Sequence, residues 1–226
     1  MKKTVTIVVI ALIIVTLVIL AVCLIPRDRR YDEAEVKEAA TSLMQAAAKL
    51  NEIYYGEGIL YLESSQHNVS IYKEADPDSL NGYGIKTISE LKQKTLEVFS
   101  EEHAEGMFKS AFSGSFSTQN GTSNLSRYYQ KYDDKGLNAI CIMVNSSYEP
   151  IMNGMNVYDL DSIKVIGSKG EYVYFTMDVK VISGNNTQVH NIRVRLIEED
   201  DGWRIASTAF ANYNELQDIY NELQKG

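Results

Sequence analysis

The chain has 226 residues, 45% of them hydrophobic and 23% charged, with 30 acidic against 22 basic side chains and a formal net charge of -8 at pH 7. That length holds one membrane span and one ordinary domain, so a large multidomain enzyme is excluded, and the composition excludes a disordered, collagen-like or multi-span chain. Fifteen Tyr against one Trp and three Pro imply a compact fold with many half-buried aromatic positions.

From Thr4 to Ile25 no residue is charged, and the run is Val, Ile, Leu and Ala apart from three Thr and Cys23. A run of about 20 such residues crosses a hydrocarbon core of about 30 Å as a helix. Lys2 and Lys3 precede it and Pro26 closes it. A cleaved signal peptide would have a shorter apolar region and a small-x-small site, so an uncleaved anchor is expected over residues 4–25, followed by a juxtamembrane segment, 26–31. Cys23 follows Leu20, Ala21 and Val22, which resembles a lipoprotein site except for the bulk of Val22, and lipidation stays open. Basic residues flank both ends, with Arg27, Arg29 and Arg30 on the far side. The short tail before the span favours a signal anchor, with the amino terminus in the cytoplasm and the domain on the extracytoplasmic side.

Lys2 and Lys3 are the only basic residues before the end of the span, so the remainder carries twenty basic against thirty acidic residues, net -10. Nucleic acid is not expected as a partner, because phosphate binding needs a basic stripe. Cys23 and Cys141 cannot form a disulfide within the domain, and a disulfide-free extracytoplasmic domain points to a bacterial envelope, with a Gram-positive cell expected. Five Asn-x-Ser/Thr matches, at Asn68, Asn120, Asn124, Asn145 and Asn185, read as chance in a chain rich in Asn and Ser.

Asp32 can cap a helix in which Val36, Ala40, Leu43, Ala47, Leu50 and Tyr54 recur at steps of four and three, ended by Gly56 and Gly58. Residues 59–64 and 68–72 are short enough for strands of a first hairpin, and residues 74–84 read as a loop from Asp76, Pro77, Asp78, Asn81 and Gly82. Thr87 with Glu90 forms a capping box for a helix burying Ile88, Leu91, Val98 and Phe99; Ser100 caps the next, with Ala104, Met107, Phe108, Ala111 and Phe112 on its apolar face. Residues 113–124 are rich in Gly, Ser, Thr and Asn and read as a flexible loop. Strands are predicted over 125–132, 137–144, 162–166, 172–182, 189–198 and 203–210, with dividers at 133–136, 168–170, 184–186 and 200–202. Val173, Phe175, Met177, Val179 and Val181 alternate with Tyr172, Tyr174, Thr176, Asp178 and Lys180, and Ile192, Val194 and Leu196 with Arg193 and Arg195. A last amphipathic helix, 211–226, uses Leu216, Ile219, Tyr220 and Leu223. Helices first and an antiparallel meander afterwards predict an α+β domain over 32–210, the helices packed on a curved antiparallel sheet.

This arrangement resembles the cystatin-like α+β roll, including the nuclear-transport-factor-like superfamily. IKTISELKQKTLEVFSEEHAEGMF (Ile85 to Phe108) is similar to the helical segment of the Gram-positive DL-endopeptidase inhibitor family, and KGEYVYFTMDVKV with RVRLIEEDDGWRIAS (within Lys169 to Ser207) is similar to the closing hairpins of both groups. The resemblance covers residues 32–210 and rests on packing and turn motifs. It implies leading helices cradled by a bent sheet and a role restraining a peptidoglycan hydrolase, and no functional residue is carried across.

His67, His103 and His190 have no metal-ligand spacing, and the sequence contains no GxSxG or P-loop, so neither metal nor cofactor nor enzymatic activity is expected. Cys141, between Ile140 and Ile142, reads as a buried structural thiol, and the acid pairs Glu101-Glu102 and Asp133-Asp134 and the run Glu198 to Asp201 as solvated charge. Tyr172, Tyr174, Arg193 and Arg195 share the outward sheet face, a mixture that binding surfaces favour and that cross-strand pairing also produces. The expected role is a membrane-anchored protein-binding or regulatory module with a basic cell-wall protein as partner. The alternative is a small-ligand sensor or accessory domain using the cavity of the roll.

Overall fold

A computed structural model describes residues 30–63, 71–113, 116–118, 121–123, 125–152 and 154–211. The expected span over 4–25 and the helix carrying Leu216, Ile219, Tyr220 and Leu223 lie outside the described residues. Among those described, no helix is long and apolar enough to cross a membrane.

Helix α1, Glu33–Tyr55, begins as its sequence requires: Asp32 Oδ1 accepts the N–H groups of Ala34 at 2.8 Å and Glu35 at 3.2 Å, and Glu33 and Glu35 place negative charge at the positive end of the helix. Its apolar stripe is buried at Val36, Ala40, Met44, Ala47, Leu50, Ile53 and Tyr54, with Leu43 half-buried. The chain then leaves the helix through Gly56 and through Gly58, at φ +79°. Among the described residues, 59–63 form no strand of their own and are tied to the following segment by the bridge of Tyr61 to Ala75; the rest of the expected first hairpin, 64 and 68–70, lies outside the described residues.

The expected loop at 74–84 instead holds strand β1, Tyr72–Glu74, and helix α2, Pro77–Tyr83. Seven residues are too few to show an apolar stripe, and α2 buries none of them, so periodicity could not reveal it. Its ends were visible as chemistry: Asp76 accepts the Asp78 N–H at 2.9 Å, Pro77 occupies the first turn, and Gly84 closes the helix at φ +66°. Helix α3, Ile88–Leu96, starts with Thr87 Oγ1 accepting the Glu90 N–H, while the Glu90 carboxylate accepts the Lys86 N–H at 2.6 Å. Helix α4, Glu101–Phe112, follows Ser100, whose side chain makes no capping bond. Ser100 is held by its backbone: its N–H donates to the Ile205 carbonyl at 2.9 Å.

The expected flexible loop at 113–124 contains a short hairpin, β2 Phe116–Thr118 and β3 Gly121–Ser123. Strands β4, Tyr128–Tyr132, and β5, Ala139–Asn145, form the expected hairpin, but β5 also pairs with β1, so the two belong to a three-stranded sheet of order β1-β5-β4 and not to the final meander. That meander is a separate four-stranded antiparallel sheet: β6 Met155–Lys169, β7 Tyr172–Ser183, β8 Asn186–Glu199 and β9 Gly202–Ile205. Strand β6 is three times the expected length, and register shifts between Asp159 and Lys164 and between Val165 and Gly167 explain why its alternation did not carry through the sequence. Val173, Phe175, Met177, Val179, Val181, Val194 and Leu196 are fully buried on the face that α1 covers, joining the helices and sheets in one core. The architecture is α+β, with helices on antiparallel sheets.

Candidate functional site

The four predicted face residues are brought together on β7 and β8. Tyr174 lies opposite Arg195 and Thr176 opposite Arg193, and each guanidinium leans diagonally onto a ring: Arg193 sits 4.4 Å from the Tyr174 centroid and Arg195 4.4 Å from that of Tyr172. Such stacks contribute about 0.5–1 kcal/mol each at exposed sites. Arg195 is further committed, since Nε donates to the Ala206 carbonyl at 2.9 Å and Nη2 donates to the same oxygen. Arg193 is the exposed member of the set. The arrangement is a ladder of alternating aromatic rings and cations whose outer surface meets solvent. Partial desolvation, followed by the effect of neighbouring Glu171, pushes the Tyr172 hydroxyl above its ordinary value, and Arg195 opposes that rise.

The sequence reading did not single out Arg127. It is 2% exposed and precedes the fully buried Tyr128 at the start of β4. Its Nη2 donates to the Gly56 carbonyl at 2.7 Å, at the negative end of α1, and its guanidinium lies 3.9 Å from the Tyr148 ring centroid. Nη1 has no hydrogen-bond partner among the described residues. Beside it the Tyr128 hydroxyl donates to the Ile53 carbonyl at 2.8 Å and accepts the Ile59 N–H at 3.1 Å. A Cβ at Gly58 would run into Arg127 Nη2 and the Tyr128 hydroxyl, so the glycine is required both by its φ and by this close approach. The residues Leu125 to Tyr129 read as strand with no special spacing, and no sequence signal marks the arginine as buried. Burial pushes the Tyr128 hydroxyl up to about 12, and the Arg127 charge acts in the opposite direction.

The remaining candidates are dispersed. His67 lies outside the described residues. His103 packs 5.3 Å from the Phe99 ring, and His190 is buried on β8 with Nε2 lacking a partner among the described residues; burial lowers the pKa of both. No group of three or more metal-ligating side chains occurs among the described residues. Cys141 is half-buried rather than buried, its thiol donating to Met143 Sδ at 3.7 Å, and burial pushes its pKa up, away from the reactive thiolate. Asp133 is a turn organiser: its carboxylate accepts the Leu137 N–H at 2.8 Å and an Asn138 side-chain N–H at 2.7 Å. Asp201 pairs with Arg204 at 2.6 Å.

No family model matches the chain, and no curated protein matches it significantly. Among solved structures, the chain is similar to the solution structure of the transfer protein TraH from the Gram-positive conjugative plasmid pIP501. The identity is 9%, the match covers 83% of this chain and 99% of that one, and the TM-score is 0.33. A likeness at that level carries no functional argument.

Proposed function

We propose that this chain is a membrane-anchored extracytoplasmic binding module of a bacterial envelope, its fold a roll of the cystatin-like kind and its partner a basic cell-wall protein such as a peptidoglycan hydrolase. The observation that carries the reading is the sequence of charges: an uncharged run from Thr4 to Ile25 followed by a portion of net -10. An acidic domain draws a basic partner by long-range attraction that weakens as salt rises, whereas anionic wall polymers are repelled. The ladder of Tyr172, Tyr174, Arg193 and Arg195 then offers short-range contact through rigid rings and guanidinium groups. A binding role, rather than a catalytic one, fits this division of labour.

The test is capture of partners by the full-length protein from envelope extract at low and high salt, with Arg193→Glu in parallel. Arg193 is the variant of choice because Arg195 also holds the Ala206 carbonyl. A hydrolase retained at low salt and released at high salt or by Arg193→Glu supports the reading. No protein partner, together with a small molecule retained through purification, favours the small-ligand sensor instead.

A further inference from the structure

A guanidinium stays charged wherever the fold survives, and a buried charge is costly unless opposite charge or oriented dipoles meet it. Arg127 meets part of that need through the Gly56 carbonyl and the Tyr148 ring, and Nη1 is left over. The same side chain lines a pocket of about 380 Å³, within the usual range of small-molecule sites. Ile59, Val144 and Pro150 give this pocket an apolar wall, and Leu60 lies at its edge, 57% exposed. Its acids are Glu57, Glu63 and Asp76, of which Glu63 is paired with Lys73 at 2.7 Å and Asp76 caps α2. Among the described residues no carboxylate bridges to Arg127, so the pocket combines a buried cation with a rim of negative charge.

We infer that this pocket binds a small monoanionic carboxylate bearing an apolar group, with the carboxylate directed toward the Arg127 guanidinium and the apolar part along the wall of Ile59, Val144 and Pro150. A carboxylate oxygen matches the planar N–H geometry of a guanidinium, and the resulting bond is charge-assisted. A phosphate dianion would meet the repulsion of the rim acids twice over. The site lies on the β1-β5-β4 side of the molecule and is independent of the partner reading above.

The experiment is isothermal titration of the full-length chain in detergent micelles with N-acetylalanine, its neutral amide, and inorganic phosphate. The acid is expected to bind, with the amide at least about tenfold weaker, the loss of one hydrogen bond between charged groups. Phosphate is expected to bind more weakly than the acid. Leu60→Glu places a carboxylate at an already exposed position on the pocket edge, where folding is spared, and should weaken the acid about tenfold through like-charge repulsion. Arg127→Lys should also weaken it, and if that variant fails to fold, Leu60→Glu decides. Binding of the amide as tight as the acid, phosphate outcompeting the acid, undiminished binding by Leu60→Glu, or no binding of the acid to the unaltered chain would each overturn the inference.

Discussion

Tyr128→Phe removes a single oxygen from the point where the end of α1 is tied to the chain that leaves it. The phenyl ring keeps its packing, with Tyr128 fully buried, so the effect isolates the hydroxyl. That hydroxyl serves two backbone groups, the Ile53 carbonyl and the N–H of Ile59, which is itself 1% exposed. Ile53 lies in the last turn of the helix, where carbonyls lack a donor from within it. A buried donor left unsatisfied costs about 1–3 kcal/mol, so with the acceptor's loss added the variant should be about 2–3 kcal/mol less stable. For a domain of this size that is a fall in Tm of about 4–12 °C. The assay is urea unfolding followed by circular dichroism, read as a lower midpoint with an unchanged slope, together with a thermal melt. Tyr83→Phe is the control, because its half-buried hydroxyl reaches the Gly58 carbonyl only at 3.4 Å and should cost no more than about 0.5 kcal/mol. Equal losses in the two variants, or no loss in Tyr128→Phe, would refute the argument that the bridge stabilises this junction.

Gly58→Ala should destabilise by about 2–4 kcal/mol, combining a left-handed φ with collision against Arg127 and Tyr128, while Gly136→Ala, at φ +68° with open space around it, should cost only about 1 kcal/mol in the same melt. His190 has its pKa lowered by burial, so the unfolded chain takes up its proton first; the stability this contributes is present above the ordinary histidine range and is lost as pH falls through the folded value. His190→Leu should therefore flatten the acid limb of the Tm-against-pH curve, and an unaltered limb would show that other groups govern it. Protease added to intact protoplasts should digest the acidic domain; survival of full-length protein until lysis would reverse the proposed topology.

The long apolar stripe of α1 and the alternation along β7 were legible because each repeats over enough residues for its period to show: every inward position from Val173 to Val181 is buried as its spacing demands. The Tyr and Arg positions followed from the same alternation, which set them on one face, although their diagonal stacking depends on a register no single strand encodes. What escaped had no period to read. Helix α2 is all caps and no core, β6 shifts register twice, and β5 joins β1 through contacts between residues far apart in sequence. Arg127 was the least legible: an arginine reads as surface unless the fold supplies the carbonyl and the ring that receive it.

The bridge between Phe99 and Ile205 has a consequence for how copies of the molecule behave when crowded together. Strand β9 is an end strand, and an end strand with free N–H and C=O groups invites a strand from another chain. Here the Ile205 N–H is given to the Val98 carbonyl at 2.9 Å and the Ile205 carbonyl receives the Ser100 N–H, so the chain closes that border with its own backbone. At the opposite border β6 is broken by its two register shifts and carries exposed Asp159, Asp161 and Lys164. A strand arriving from another chain would meet a border already taken at Ile205 and, on β6, one interrupted by two register shifts and by charged side chains.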